Sequence, residues 1–300
     1  MIMNTGAGIK MMNEFFTYEF LQNAFFTGIM IGFLAPILGV FIVVRRLALI
    51  TDALSHVTLT GIAFHLLLAQ TFTFMQLMSP LYMGMTFAVA GSLLMEKLRN
   101  VYTAFKELAI PIILSIGIGL GVVFISLADG FNNDLFNYLF GSIITVTRED
   151  LSVISIVTVV VTGLLILFYK ELLFLSFDEE QASVSGIPGK WINILFIIMT
   201  ALVIASSMRI VGILLVSSLM TLPAASAIQL SKSFKQMFLY SIIIGEFSVI
   251  TGIISAFYLD ISPGGVIVLV ALSILLIILG CKKIHVGTSR KKMSYTDNNT

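Results

Sequence analysis

Asp52 and His56 sit four residues apart in the run Arg45-Arg46-Leu47-Ala48-Leu49-Ile50-Thr51-Asp52-Ala53-Leu54-Ser55-His56, between two of the most apolar stretches of the chain. On a helix, a four-residue step brings two side chains to within about 40° of one face. A carboxylate and an imidazole presented together can ligate a divalent cation. Near lipid such groups are costly, an Asp at a helix centre by about 2.5–3.5 kcal/mol, so they face a partner, a cavity or an ion. On spacing alone a second reading stands beside the first: an acid at a helix start followed by a polar residue at headgroup level. Ser55 could support Asp52 by a hydrogen bond, or pack between helices.

The other groups able to do chemistry are few. Glu246 is an acid inside an apolar stretch, for which a role is the default expectation. His65 lies nine residues past His56, about 180° around a helix, where packing is expected rather than ligation. His285 falls in a polar tail and is expected to be solvated. The 15 Met residues are scattered through apolar runs as core and lipid contacts. The single Cys281 excludes a disulfide within the chain and a Cys-rich zinc site.

The elements that must hold these residues are membrane helices. The 300-residue chain is 58% hydrophobic and 11% charged, against about 25% charged in soluble domains. A net charge of +1 argues against a nucleic-acid surface. A span needs about 20 residues. Nine stretches qualify, near 24–44, 52–69, 80–96, 108–128, 151–169, 191–207, 210–229, 237–258 and 264–281. The 210–229 run contains Gly212 and Pro223 and reads as a broken or re-entrant helix, which leaves eight or nine crossings. No cleavable signal peptide is visible ahead of the first span. Three regions follow: an N-terminal segment 1–20, a membrane domain 21–283, and a polar tail 284–300 expected to be disordered.

Basic residues orient the spans. Arg45, Arg46, Lys97, Arg99, Lys106, Lys170, Lys190, Lys232, Lys235, Lys282 and Lys283 fall on one side, taken as cytoplasmic. Asp129, Asp134, Glu149, Asp150 and Asp260 fall on the other, with only Arg148 and Arg209, and Lys10 opposes the trend slightly. Arg45 and Arg46 thus read mainly as topology anchors. Arg209 and Asp260 either contact a partner or mark the outer interface.

Two segments outside the spans have helical patterns. Phe131–Gly141 is amphipathic and suits a short interfacial helix on the outer side. Ser176–Gly186 is expected to be a cytoplasmic helix, with Ser176 as N-cap, Glu179 three residues on, and Gly186 and Pro188 as stop signals. A capped helix between two spans suits the docking of a soluble partner.

Taken together, several stretches resemble the permease subunits of the zinc- and manganese-uptake family of ABC transporters. They are Gly39–Arg46 with Leu49, Asp52–His56 with Gly61, Leu139–Ser142, Phe177–Glu180, Val211–Ser217, Leu222–Ala225, and Leu259–Asp260 before Gly264. The run Ala35–Gly39 with His56-Val57 looks more like the zinc branch. The resemblance implies an all-α membrane fold of the vitamin-B12-importer (type II) kind in the bacterial plasma membrane. It implies a pore formed with a second copy of the chain, ATP-binding subunits docked on Phe177, Asp178, Glu179 and Glu180, and delivery by an extracellular metal-binding lipoprotein. It places transient pore ligands for Zn2+ or Mn2+ at Asp52 and His56, with no permanently bound cofactor. Glu246 stands where the family pattern has a small or apolar residue.

Two other classes compete. An ion-coupled secondary carrier could use Asp52, His56 and Glu246 as a relay, but has no need of a docking helix. An intramembrane metalloenzyme lacks His-Glu-x-x-His support here. The chain has no Gly-x-x-x-x-Gly-Lys-Ser/Thr, so any ATP must be hydrolysed by another subunit.

Overall fold

A computed structural model describes residues 18–128 and 133–297, with side chains in the last helix as far as Lys283. Lys10, Asp129, and Phe131 with Asn132 at the start of the amphipathic segment lie outside the described residues, as do the side chains of Asp134 and His285. Every described element is helical. In chain order they are α1 (Glu19–Val44), α2 (Leu49–Thr71), the single turn α3 (Thr73–Gln76), α4 (Pro80–Val101), α5 (Ala109–Leu127), α6 (Asn133–Phe140), α7 (Arg148–Leu167), α8 (Tyr169–Phe177), α9 (Glu179–Val184), α10 (Gly189–Val211), α11 (Ile213–Leu230), α12 (Phe234–Leu259) and α13 (Pro263–Asp297). A 3-10 turn, Lys106–Leu108, leads into α5.

Eight described helices are long and apolar enough to cross a membrane: α1, α2, α5 with its leading turn, α7, α10, α11, α12 and α13. The less apolar α4 runs between the same two polar layers. At one end Tyr82 donates to Glu149 (2.8 Å), and at the other Arg99 lines the same pocket as Arg45. Its 22 residues reach about 33 Å, enough for a crossing. Nine described helices therefore connect the layers. The 210–229 stretch is broken at Gly212, one of the two residues that marked it, whose φ of +82° favours glycine, and α11 is continuous across Pro223.

The core forms where small residues let backbones close on one another, as membrane helices require in the absence of a hydrophobic drive between them. A Cβ on Gly39 of α1 would lie 1.8 Å from the Met220 carbonyl oxygen of α11, and one on Gly61 of α2 would lie 2.6 Å from that of Met83. Pro36 of α1 packs on Gly245 of α12. Phe41, Phe196, Phe234 and Phe238 form an aromatic cluster near the inner end.

The helix expected over Ser176–Gly186 is shorter than its pattern suggests and capped differently. Asp178, not Ser176, is the cap, accepting from the Gln181 amide (2.9 Å) to open α9 at Glu179. Ser176 still belongs to α8, where its hydroxyl donates to the Leu172 carbonyl (2.6 Å). The reason is register. Phe174 and Leu175 continue the apolar face of α8 to Phe177, so the turn opens two residues later than the Ser176–Glu179 pattern suggests. Gly186, at φ +81°, ends the segment as expected. The helical backbone of α13 runs on to Asp297, into the 284–300 segment.

Candidate metal path and its coupling surfaces

α2 carries Asp52 and His56, and three neighbours determine how it is turned. Gly117 of α5 approaches the backbone at His56 and Val57 so closely that an added Cβ would sit 3.0 Å from the Val57 nitrogen. One turn on, the Thr60 hydroxyl lies 2.9 Å from the His56 carbonyl oxygen and 2.6 Å from that of Gly117. Gly91 and Gly84 of α4 close on Val57, Thr58 and Ile62. These contacts bury Ala53, Leu54, Val57 and Ile62, while Asp52 and His56 remain half-buried on their own face. The two are near enough for the Asp52 carboxylate to act electrostatically on the imidazole. α11 also packs on α2, and its Ser217, Ser218 and Thr221 are half-exposed.

Ser55 is buried, and its Oγ has no hydrogen-bond partner, so it does not bond Asp52 here. His65 is buried and hydrogen-bonds the Met78 backbone, a packing role as expected. Among the described residues, no three of His, Cys, Asp and Glu are grouped so as to hold a metal. Asp52 and His56 therefore offer one chain's worth of donors. Glu246 lies apart from them on α12, half-buried, with its carboxylate against Gly32 of α1, where an added Cβ would meet Oε2 at 3.1 Å. None of the ion pairs among the described residues includes it.

The outer layer is held by a clamp that the sequence does not announce. Arg209, at the end of α10, donates to the Tyr138 hydroxyl (2.9 and 3.2 Å), the Thr145 carbonyl (2.8 Å) and Asp150 (2.7 Å). Asp150 also accepts from the Thr147 amide and hydroxyl, completing a capping box at the start of α7. The Asp150 side chain is only 2% exposed, so removing Arg209 alone would leave a buried carboxylate unpaired, which makes the pair costly to halve. The clamp seats α6 against the α10–α11 break, where Gly141 and Gly212 bring two backbones together and the Ser142 amide donates to the Arg209 carbonyl (2.8 Å). Arg209 is thus an internal strut. The described part of the amphipathic segment is helical, with Leu135 and Tyr138 buried and Phe136 exposed.

On the inner layer, Glu180 is exposed beside three large apolar side chains: Phe177 (68% exposed), Val184 (91%) and Trp191 (71%). A groove of about 710 Å³ runs between Lys106, Glu179, Glu180, Pro188 and Trp191. Exposed aromatics rimmed by charge are the composition of interface anchors. Trp191 escapes a sequence reading because nothing in its local pattern shows it turned away from the bundle.

The helix count, the glycine-packed crossings and the two polar layers define a multi-pass helical membrane protein. Residues 17–282 match the family model described as "ABC 3 transport family". The chain is 31% identical over 255 residues to the manganese transport system membrane protein MntC of Listeria monocytogenes, covering 85% of this chain and 88% of that one. It is 32% identical over 252 residues to the high-affinity zinc uptake system membrane protein ZnuB of Haemophilus influenzae, covering 84% and 94%. Among solved structures, a chain of PsaBC from Streptococcus pneumoniae, in complex with Fab, superposes with a TM-score of 0.77 at 29% identity, over 90% of this chain and 94% of that chain. The chain belongs to the ABC 3 transport family, the group of metal-uptake ABC permeases that includes manganese and zinc systems, as its motifs suggested.

Proposed function

We propose that this permease imports a divalent metal, zinc in the first instance, through a pore formed by two copies of the chain. The observation that carries this reading is the half-buried Asp52–His56 face of α2, held by glycine contacts on its other sides. One chain supplies one oxygen and one nitrogen donor. A twofold axis doubles them to two Asp and two His, the four-coordinate N/O set that zinc favours. Manganese, which favours more oxygen donors, is the alternative, and the name of the Listeria relative supports it. In this reading separate ATP-binding subunits dock on Phe177–Glu180 with Val184 and Trp191, and an extracellular metal-binding lipoprotein delivers metal to the outer layer around α6. Acidic residues there would draw a released cation inward. Ser55 becomes available to the site only if the Asp52 side chain turns toward it, and Glu246 is outside the ligand set.

The cation is tested by metal accumulation in a strain deleted for the gene. Zinc content is expected to fall under zinc limitation and to return with the gene on a plasmid, with manganese unchanged; the reverse pattern assigns manganese. Orientation is tested with a Cys281→Ser background carrying Phe136→Cys or Val184→Cys. A membrane-impermeant thiol reagent is expected to label the first in intact cells and the second only after lysis. The opposite pattern inverts the topology and places α9 outside, away from any ATPase.

A further inference from the structure

Arg45 does more than anchor the topology. It caps α1 and reaches sideways rather than into water. Nε donates to the Ser176 hydroxyl of α8 (3.0 Å), Nη1 to the Asn193 side-chain oxygen in the first turns of α10 (2.9 Å), and Nη2 approaches the Leu172 carbonyl (3.5 Å). The guanidinium also lies over the Phe196 ring, 5.0 Å from its centroid. Asn193 in turn donates to Glu179 (3.4 Å), the first residue of α9. Burial lowers the Arg45 pKa to about 10, with Glu179 opposing the shift, so it remains a cation at neutral pH.

The backbone at the same point is closed by a hydrogen-bonded turn. Arg46 occupies the left-handed region (φ +58°) in a position where helices usually place glycine. The Arg46 amide donates to Val43 and the Leu47 amide to Ile42, the paired bonds of a Schellman turn. α2 begins at Leu49, one turn before Asp52. A short route of hydrogen bonds, Glu179 to Asn193 to Arg45, therefore joins α9 to a hydrogen-bonded turn that leads into the helix bearing Asp52 and His56.

We propose that Arg45 is a positioning residue that transmits motion of the α8–α9 docking segment to α2, so that ATP hydrolysis in the partner subunit is felt at the metal ligands. This rests on the docking and ligand roles proposed above. Lys lacks the planar fork by which Arg45 donates from Nε to Ser176 and from Nη1 to Asn193 while lying over the Phe196 ring.

The test uses the full complex of permease, ATPase and binding protein in proteoliposomes. It reads ATPase co-purification, the ATP hydrolysis rate, and radioactive zinc transported per ATP hydrolysed. Arg45→Lys is expected to keep the ATPase bound and hydrolysis within about twofold, while metal per ATP falls at least about tenfold. Asn193→Leu, which leaves the charge of Arg45 in place, is expected to lower the same ratio. An unchanged ratio in either assembled variant overturns the proposal. So does loss of assembly by Arg45→Lys alongside a normal ratio in Asn193→Leu, which would make Arg45 a purely structural group. Failure of the docking reading is distinguishable, because it appears as retained ATPase when the exposed face of α9 is altered.

Discussion

Metal uptake is expected to fall at least about a hundredfold when Asp52 or His56 is replaced by alanine, with the permease still inserted and assembled. Removing groups that merely support a metal ligand costs about 10–100-fold, and a direct ligand shared across a twofold axis is lost twice in one substitution. Assembly is expected to survive because both side chains are only half-buried and form none of the helix contacts that hold α2; those belong to Ala53, Leu54, Val57, Thr60 and Gly61. A transport site must also release its cargo. A ligand swap such as His56→Asp is therefore informative: it is expected to change which metal is preferred rather than to restore the original rate. Growth on limiting metal, with permease quantified in the membrane fraction, reads both. Normal growth of either alanine variant removes the pair from the transport path.

The second large effect is expected on the inner face. Glu180→Lys with Val184→Asp is expected to reduce co-purification of the ATPase at least about tenfold, and uptake with it. Interface anchors are worth about 2 kcal/mol or more each, and these substitutions place a reversed charge and a buried carboxylate in one surface. Glu180 and Val184 are the cleaner choices because both are exposed, whereas Glu179 is already engaged with Asn193 and Lys106. Folding of the permease is expected to be unaffected, which a thermal midpoint in detergent would check. Full retention of the ATPase would show that it docks elsewhere.

Much of the architecture was legible in local pattern. Apolar runs gave the spans, basic residues gave the layers, and Gly186 gave the end of the cytoplasmic segment. Local pattern failed where two signals overlapped. Ser176 and Glu179 have capping-box spacing, yet the apolar face of α8 runs past Ser176 and leaves Asp178 to cap. Of the two breakers marked in the 210–229 run, Gly212 does interrupt the helix, through its positive φ, while Pro223 lies inside a continuous α11. The clamp at Arg209, the niche of Glu246 at Gly32 and the reach of Arg45 were not legible at all. Their partners are distant in sequence, 59 residues from Arg209 to Asp150 and 131 from Arg45 to Ser176, and depend on inter-helix register that one chain's periodicity does not encode.

The modest hydropathy of α4 bears on how the chain is made. Pro80–Val101 carries Glu96, Lys97 and Arg99 within its last turns, and it alone among the nine connecting helices falls outside the strongly apolar set. Its glycines close on α2, so it becomes stable in the bilayer when α2 is already there to receive it. Insertion of α4 is therefore expected to depend on α2, which its glycines pack against, more than insertion of the strongly apolar helices does.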